Sequence, residues 1–264
     1  MADKLAIVTG ASTGIGFELA HCAAEDGYDL VVVADEPLIE AAAADFRRDG
    51  VTVTAVEADL STLDGVDRLV HAAAGRRIDV LCANAGWSHG GPFMEQDFTT
   101  VRRTIDTNIT GTMYLVQRVM KEMIAVRSGK VLVTGSIAGF IPGPYNAVYN
   151  ATKAFIDSIT EALRVELEKV DGVSLTTLMP GATETEFFDR ADLRDTKAGQ
   201  APKDDPATVA RAGWKAMQAR ERTIIPGLHN KVQVAGSGVV PKSVQAKLHA
   251  KLFAPGSGEE HAKD

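Results

Sequence analysis

The stretch Thr9-Gly10-Ala11-Ser12-Thr13-Gly14-Ile15-Gly16 decides the fold, because it joins an apolar run to an amphipathic segment. The run before it, residues 5–8, is typical of a buried strand, and residues 14–26 have helical spacing. At such a turn, glycines let the backbone approach a pyrophosphate, and the helix N-terminus offers free N–H groups. The turn therefore predicts a dinucleotide site. Its G-x-x-x-G-x-G spacing departs from the usual G-x-G-x-x-G, and a plain tight turn is the alternative.

Outward from this turn, β-branched runs alternate with helical segments, which is the pattern of an α/β parallel sheet covered on both faces. We predict strands near residues 4–9, 29–34, 51–56, 78–82, 129–135, 173–179 and 222–225. We predict helices near residues 14–26, 37–49, 62–75, 98–126, 146–170 and 206–220. No linker interrupts this rhythm, so residues 1–264 are expected to form one doubly wound domain. An irregular extension is expected at 226–264, with one helix at 242–253 and a frayed tail at 255–264.

The composition excludes several classes of protein. The 264 residues are 45% hydrophobic and 24% charged, with a formal net charge of -7, as in an ordinary globular protein. No apolar run is long enough for a membrane span, and no basic stripe favours nucleic acid as a partner. Cys22, Cys82 and the histidines lack the spacing of a metal or redox site. The N-terminus lacks a signal-peptide pattern, so we expect a cytoplasmic location without a membrane partner.

Asp35 ends the second predicted strand and bears on the choice of cofactor. A carboxylate about 20 residues beyond the glycine turn accepts hydrogen bonds from ribose hydroxyls and repels a 2′-phosphate. Thr13 is uncharged and offers no cation for that phosphate either. The sequence thus predicts NAD(H) over NADP(H), and a solvated loop aspartate is the alternative.

Tyr149 and Lys153 are four residues apart in a predicted helix, so they share one face. A phenol titrates near 10, and a neighbouring ammonium lowers that pKa towards a useful range for acid/base work. Together with Ser136, in a Gly-Ser-Ile-Ala-Gly turn after the fifth strand, this pair predicts acid/base chemistry. A solvated pair on a helix surface is the alternative. The turn lacks the G-x-S-x-G elbow of a hydrolase.

Taken together, these motifs resemble the single-domain branch of the short-chain dehydrogenase/reductase superfamily. The resemblance covers roughly residues 4–185, and its pieces occur in the family's order: the glycine turn, Asp59-Leu60, Asn84-Ala85-Gly86, Asn108, Ser136, Tyr149, Lys153 and Pro180-Gly181. It implies a seven-stranded Rossmann fold with strand order 3-2-1-4-5-6-7 and nicotinamide-dependent oxidoreduction. It also suggests a homodimer or homotetramer built on the helices near 98–126 and 146–170, whose apolar positions fit a core equally well.

The resemblance implies a catalytic tetrad. Tyr149 would be the acid/base on the substrate oxygen, and Ser136 would orient that oxygen. Lys153 would bind the nicotinamide ribose and lower the pKa of Tyr149. Asn108 would hold the water of a proton relay, although an asparagine there could simply bridge a kinked helix.

The resemblance also implies a cofactor site, in which Asp59 would meet the adenine edge and Thr183 the nicotinamide carboxamide. The complete predicted site consists of Gly10, Ser12, Thr13, Gly14, Ile15, Gly16, Asp35, Asp59, Leu60, Asn84, Ala85, Gly86, Tyr149, Lys153, Pro180, Gly181 and Thr183. Asn84 in a turn and Pro180-Gly181 at a strand end are the structural alternatives.

Apolar residues that follow the carboxyl ends of the strands predict the substrate pocket. The predicted substrate residues are Trp87, Ser136, Phe140, Tyr145, Tyr149 and Phe187. No lysine or arginine lies among the predicted wall residues, so the expected substrate is an uncharged, mostly apolar secondary alcohol or its ketone. Residues 184–203 are expected to form a substrate lid, with a fixed surface helix as the alternative. A nonenzymatic dinucleotide-sensing regulator on the same fold is the competing class of function.

Overall fold

The computed structural model describes residues 4–258, and its strands form one parallel sheet. The strands are β1 (Leu5–Thr9), β2 (Asp29–Ala34), β3 (Val53–Glu57), β4 (Val80–Ala83), β5 (Gly129–Thr134), β6 (Val173–Leu178) and β7 (Thr223–Ile224). Their order is β3-β2-β1-β4-β5-β6-β7, which confirms the Rossmann-type fold and the implied strand order. Each strand also begins and ends within two residues of its predicted bounds.

Helices lie on both sides of this sheet. They are α1 (Gly14–Glu25), α2 (Leu38–Phe46), α3 (Leu63–His71), α4 (Phe98–Ile105), α5 (Thr112–Ala125), α6 (Ala147–Leu167), α7 (Phe187–Arg190), α8 (Lys197–Gln200), α9 (Pro206–Gln218), α10 (Leu228–Ser237) and α11 (Lys242–Phe253). The helix predicted at 98–126 is divided, because a π-helical turn at Asp106–Gly111 separates α4 from α5. The other long predicted helices are present.

The core has two layers, one on each face of the sheet. Within β1, Val8 packs towards α1, α2 and α9, whereas its neighbour Ile7 packs towards α3, α5 and α6. This division follows from the two-residue period of a strand, which sends successive side chains to opposite faces. Because both faces are covered, all five residues of β1 are buried. Full burial of one such aliphatic side chain contributes about 1.5–3 kcal/mol.

The segment after residue 226 differs from the sequence prediction. Helix α11 matches the predicted helix at 242–253, but α10 was expected to be irregular. Asn230 anchors α10, since its amide nitrogen donates hydrogen bonds to Pro226 O (2.7 Å) and Asp204 Oδ2 (2.8 Å). Of the predicted tail at 255–264, residues 255–258 form a turn in which Gly258 N–H donates to Asp195 O (2.8 Å). Residues 259–264 lie outside the described residues.

Residues 4–258 lack two features that are typical of other classes of protein. No helix in that range has both the length and the apolar character to cross a membrane. The same range contains no group of three or more His, Cys, Asp or Glu side chains that could hold a metal ion. Cys22 and Cys82 are both buried, and burial raises the pKa of both thiols.

Candidate active site

The glycine turn brings the N-terminus of α1 against the carboxyl end of the sheet. Gly10 and Gly14 have left-handed backbone angles, with φ of 64° and 60°. The N–H groups of Gly10 and Ala11 both donate to Val33 O in β2 (2.9 and 3.2 Å), so the turn wraps the end of that strand. A Cβ on Gly16 would collide with Gly10 O and Asn84 Nδ2. Gly16 therefore allows close packing and does not line the cleft, and its contact with the cofactor stays a prediction.

Asn84 ties together the ends of three strands beside this turn. The N–H groups of Asn84 and Ala85 donate to Thr9 Oγ1 (2.9 and 2.8 Å), and Asn84 Nδ2 donates to Thr9 O (3.2 Å). Asn84 Oδ1 in turn accepts a hydrogen bond from Thr134 Oγ1 at the end of β5 (3.0 Å). The segment from Asn84 to Gly86 is thus held in place on the central strands, where it lines the cleft.

A cleft of about 500 Å³ runs along the carboxyl ends of the strands. Predicted cofactor residues that line it are Gly10, Ser12, Thr13, Gly14, Ile15, Asp35, Asp59, Leu60, Asn84, Ala85, Gly86, Tyr149, Lys153, Pro180, Gly181 and Thr183. These residues fit a dinucleotide. Thr13, the N-cap of α1, makes no side-chain capping bond, and the first turn has no acidic residue, which leaves its N–H groups available to an anion.

Two acidic residues directly follow β2, and each of them is paired with an arginine. Asp35 Oδ2 accepts a hydrogen bond from Arg103 Nη2 (2.8 Å), and Glu36 Oε1 accepts one from Arg190 Nη2 (2.8 Å). Glu36 Oε1 also accepts from Ser12 Oγ (2.6 Å). Burial acts to raise the pKa of Glu36, but the bonds from Ser12 and Arg190 outweigh it and hold the pKa below its usual value. Sequence reasoning missed both arginines, because 68 and 154 residues separate the partners.

Tyr149 and Lys153 meet at the other end of the cleft. Lys153 Nζ lies 5.6 Å from the centroid of the Tyr149 ring and donates to Thr134 O (2.8 Å). Burial raises the pKa of Tyr149 to about 12, opposed by a hydrogen bond with Ser136. Burial also lowers the pKa of Lys153 to about 8. Burial is thus the dominant influence on the phenol in this arrangement, and a lowering of its pKa by the Lys153 ammonium stays a prediction.

Ser136 is held towards Tyr149 by a short helical turn. It is the N-cap of the 3-10 helix Ile137–Phe140, and its Oγ accepts a hydrogen bond from Ala138 N–H (3.1 Å). The same hydroxyl also lies 3.4 Å from Pro180 O, to which it donates. Cap geometry thus fixes the serine that the sequence predicted to orient the substrate oxygen.

Asn108 lies in the π-helical turn and is buried behind the cleft. Its Oδ1 accepts from Trp87 N–H (2.7 Å), and its Nδ2 donates to Trp87 O (2.8 Å) and Thr152 Oγ1 (3.0 Å). Both ends of the amide are therefore engaged. The side chain does not line the cleft, and it bridges the kinked helix to Trp87 and Thr152; its role at a relay water stays a prediction.

The predicted substrate residues fall into two groups. Trp87, Ser136, Tyr149 and Phe187 line the cleft, and the Phe187 ring packs 4.9 Å from the Tyr149 ring. Phe140 and Tyr145 do not line it. Phe140 ends its 3-10 helix with 38% of its surface exposed.

The place of Tyr145, which the sequence allows at the pocket rim or in packing, is set by its backbone. It has a left-handed φ of 66°, and its carbonyl accepts a hydrogen bond from Gly91 N–H (2.8 Å). It therefore shapes a connection between two loops.

Helix α11 adds cleft residues that no sequence pattern predicted. His249, Leu252 and Phe253 all line the cleft, and His249 stacks on Phe253 with ring centroids 4.0 Å apart. Burial lowers the pKa of His249 to about 4, so this imidazole is neutral at pH 7. Arg190 and Lys197 also line the cleft, although no basic residue was expected among its walls.

Comparison with known proteins identifies the family. The family model described as short chain dehydrogenase matches residues 4–195. An uncharacterized oxidoreductase of Staphylococcus saprophyticus is 33% identical over 221 residues, which cover 82% of this chain and 92% of that protein. The chain belongs to the short-chain dehydrogenase/reductase family, and it is an oxidoreductase of that family.

Solved structures agree with this assignment. A short-chain dehydrogenase from Sphingobium yanoikuyae in complex with NADPH is similar with a TM-score of 0.79 and 31% identity, covering 89% of this chain and 94% of that chain. A short chain dehydrogenase/reductase from Burkholderia phymatum in complex with NAD has a TM-score of 0.79 and 25% identity, covering 88% and 92%. A nicotinamide dinucleotide is thus the cofactor class of this fold.

Proposed function

We propose that this protein interconverts an uncharged, mostly apolar secondary alcohol and its ketone, with NAD(H) as cofactor and Tyr149 as acid/base. The observation that carries the proposal is the convergence of Ser136, Tyr149 and Lys153 at one end of a cleft that also contains the glycine turn. Membership of an oxidoreductase family supports the reaction class.

Different residues of the chain carry out different parts of the proposed reaction. Bound NAD(H) supplies or accepts the hydride. Tyr149 donates a proton to the substrate oxygen during ketone reduction and takes it back during alcohol oxidation, while Ser136 holds that oxygen beside the phenol. Because the Asn108 amide is engaged on both sides, we assign the relay water to the backbone of the π-helical turn.

Different residues support the choice of cofactor, the substrate class and the contact with the nicotinamide. Asp35 supports NAD(H) over NADP(H), because its carboxylate lines the ribose end of the cleft. Trp87, Phe187 and Phe253 support an apolar substrate. Thr183 supports a contact with the nicotinamide carboxamide, since it is buried and lines the cleft.

We also propose that residues 184–203 act as a lid and that the chain is one domain. A homodimer or homotetramer and a cytoplasmic location stay predictions.

A screen of secondary alcohols for NAD reduction tests the proposal, with Tyr149→Phe as the matched blank. The phenylalanine keeps the ring that packs on Phe187 and removes the hydroxyl. We expect the variant to bind NADH like the wild type in a fluorescence titration and to lose nearly all turnover, at least about 10²-fold. Substantial turnover by Tyr149→Phe would overturn the assignment. An NADH-binding protein with no variant-sensitive activity in either direction would favour the regulator.

A further inference from the structure

Asp157 lies one helical turn beyond Lys153 and takes no part in the chemistry described so far. Tyr149, Lys153 and Asp157 are spaced by four residues along α6, so they lie on one face of the helix. Unlike the first two, Asp157 does not line the cleft. It packs behind the segment that holds Ser136.

Two glycines make room for the Asp157 carboxylate. A Cβ on Gly135 would collide with Asp157 Oδ1, and a Cβ on Gly139 would collide with Oδ2. These glycines lie on either side of Ser136 and its helical cap. The carboxylate therefore fills the space beneath the catalytic serine, and the Gly-Ser-Ile-Ala-Gly turn has its glycines where that carboxylate requires them.

Both carboxylate oxygens of Asp157 are buried, and neither accepts a hydrogen bond of good geometry, although the backbone N–H of Ser136 lies near enough to favour the charged form. A buried carboxylate with so little hydrogen bonding is costly, and a neutral side chain of similar shape would avoid that cost. Burial raises the pKa of Asp157 to about 7, opposed mainly by the positive charge of Lys153. The backbone N–H of Ser136 and the charge of Arg164 on the same helix act in the same direction as Lys153, and Gly135, Ser136 and Gly139 on the facing segment carry no charged side chain.

The charge of Asp157 also changes the pKa values of Lys153 and Tyr149. A negative charge favours the protonated form of a neighbouring acid, so Asp157 raises the pKa of Lys153 and of Tyr149. Burial pushes the Lys153 pKa down to about 8, and Asp157 is the charge that opposes this loss of the proton. Without it, the ammonium would be harder to keep at neutral pH.

We propose that Asp157 is a positioning residue of the active site, which supports Ser136 from beneath and keeps Lys153 protonated beside Tyr149. The inference rests on the proposed function, because it acts through the residues assigned to the chemistry. It adds to the tetrad a fifth side chain, which lies outside the cleft and influences the protonation of Lys153 and Tyr149.

Asp157→Asn tests the proposal, because the amide keeps the shape and removes the charge. In alcohol oxidation, we expect the pKa seen in the pH profile of kcat/KM to fall by roughly one pH unit. The Lys153 pKa, followed by NMR of ¹³Cε-labelled lysine without cofactor, should fall in the same variant. Glu166→Gln, at an exposed position of the same helix, is the matched control and should leave both values unchanged.

The outcomes separate the two proposals. Loss of kcat at every pH, with both pKa values unmoved, would reduce Asp157 to a packing residue and overturn the inference. Activity that survives Tyr149→Phe would instead overturn the proposed function. If Asp157→Asn does not fold, the wild type still decides the question through its Asp157 ¹³C carboxyl signal. A midpoint near pH 7 supports the proposal, and a midpoint near 4 contradicts it.

Discussion

At the scale of single residues, Asp35 and its partner Arg103 have opposite effects on the binding of a 2′-phosphate. Its carboxylate is the group that would repel a 2′-phosphate, but Arg103 places a cation 2.8 Å from Oδ2. Arg103 is further held over the Trp87 ring, with Cζ 5.2 Å from the centroid. The discrimination against NADP(H) that Asp35 predicts is therefore weakened by its own partner.

Arg103→Gln should sharpen the preference for NADH over NADPH. Removing the guanidinium leaves the negative charge of Asp35 uncompensated near the ribose. Because the pair is partly exposed, we expect the ratio of the two kcat/KM values to rise by no more than about fivefold. The measurement is steady-state kinetics with both cofactors in the same low-salt buffer.

Arg102→Gln is the matched control for this experiment. Arg102 lies next to Arg103 on α4 but pairs with Asp106 (3.1 Å), and 73% of its side chain is exposed. Its removal should leave the ratio unchanged. A shift towards NADPH in Arg103→Gln would show that the arginine does not compensate Asp35.

At the scale of elements, the segment 184–203 is attached to the fold at both ends. A bridge pairs Thr183 with Asp204, and Ala191 O accepts a hydrogen bond from Gly90 N–H (2.7 Å). Arg190 at the end of α7 reaches across to Glu36, which also accepts from Ser12 in the glycine turn. This ion pair connects the proposed lid to the ribose and phosphate end of the cleft.

Arg190→Gln should weaken NADH binding by about two- to fivefold at low ionic strength, since it removes the partly exposed ion pair with Glu36 that holds the segment over the cleft, besides a local pair with Glu186. Salt screens such a pair, so the difference from the wild type should shrink at about 0.5 M salt. NADH fluorescence titrations at the two salt concentrations measure the effect.

Arg194→Gln provides the comparison within the same segment, because Arg194 pairs with Asp189 and is 75% exposed. We expect its NADH affinity to match the wild type. Equal weakening in both variants would mean that loss of positive charge, and not the link to Glu36, is responsible.

At the scale of the whole molecule, Asp157 makes stability depend on pH. Its pKa is about 7 in the folded protein, whereas an exposed aspartate titrates near 4. Between these values the folded state keeps a proton that the unfolded chain has lost. The free energy of unfolding therefore falls as pH rises through that window. Above pH 7 the full loss of stability from the buried, ionised carboxylate is present.

Asp157→Asn removes this titration. We expect the Tm of the variant minus that of the wild type to be larger at about pH 8 than at about pH 5, by a few degrees. Differential scanning calorimetry at the two pH values measures it, with Glu166→Gln as the surface control. The same Tm difference at both pH values would contradict a buried, ionised Asp157.

Much of this molecule could be predicted from local sequence signals. Each strand is a short β-branched run, and the glycine turn, Tyr149 and Lys153 have fixed spacings that a reader can find in the chain. Helix α10 gave no such signal, because its buried residue is the polar Asn230, which bonds Asp204 and Pro226 and not an apolar core. Leu228 and Val232 are exposed and only Val234 is partly buried, so the usual apolar period is missing.

The charged contacts of the site were beyond prediction for a different reason. Arg103, Arg190 and Asp157 have ordinary sequence neighbours, and their roles depend on contacts made only in the folded chain. The low acidity of Tyr149 belongs to the same class, since it comes from burial that no spacing reports. Sequence patterns thus indicate the candidate reacting groups, but tertiary packing decides their charge states.

The π-helical turn at Asp106–Gly111 has a consequence for how this site tolerates changes in length. Such a turn holds one residue more than a regular helical turn needs. Deleting one residue there would let α4 run into α5 as one regular helix, because the wider turn takes up its extra residue without changing how the flanking turns face. The core residues Val116 and Met120 would still face inward, but Asn108 would lose the wide turn that places its amide against the backbone of Trp87. The number of residues in this turn, and not their identity alone, is therefore part of the active-site design, and substitution scans would not detect it.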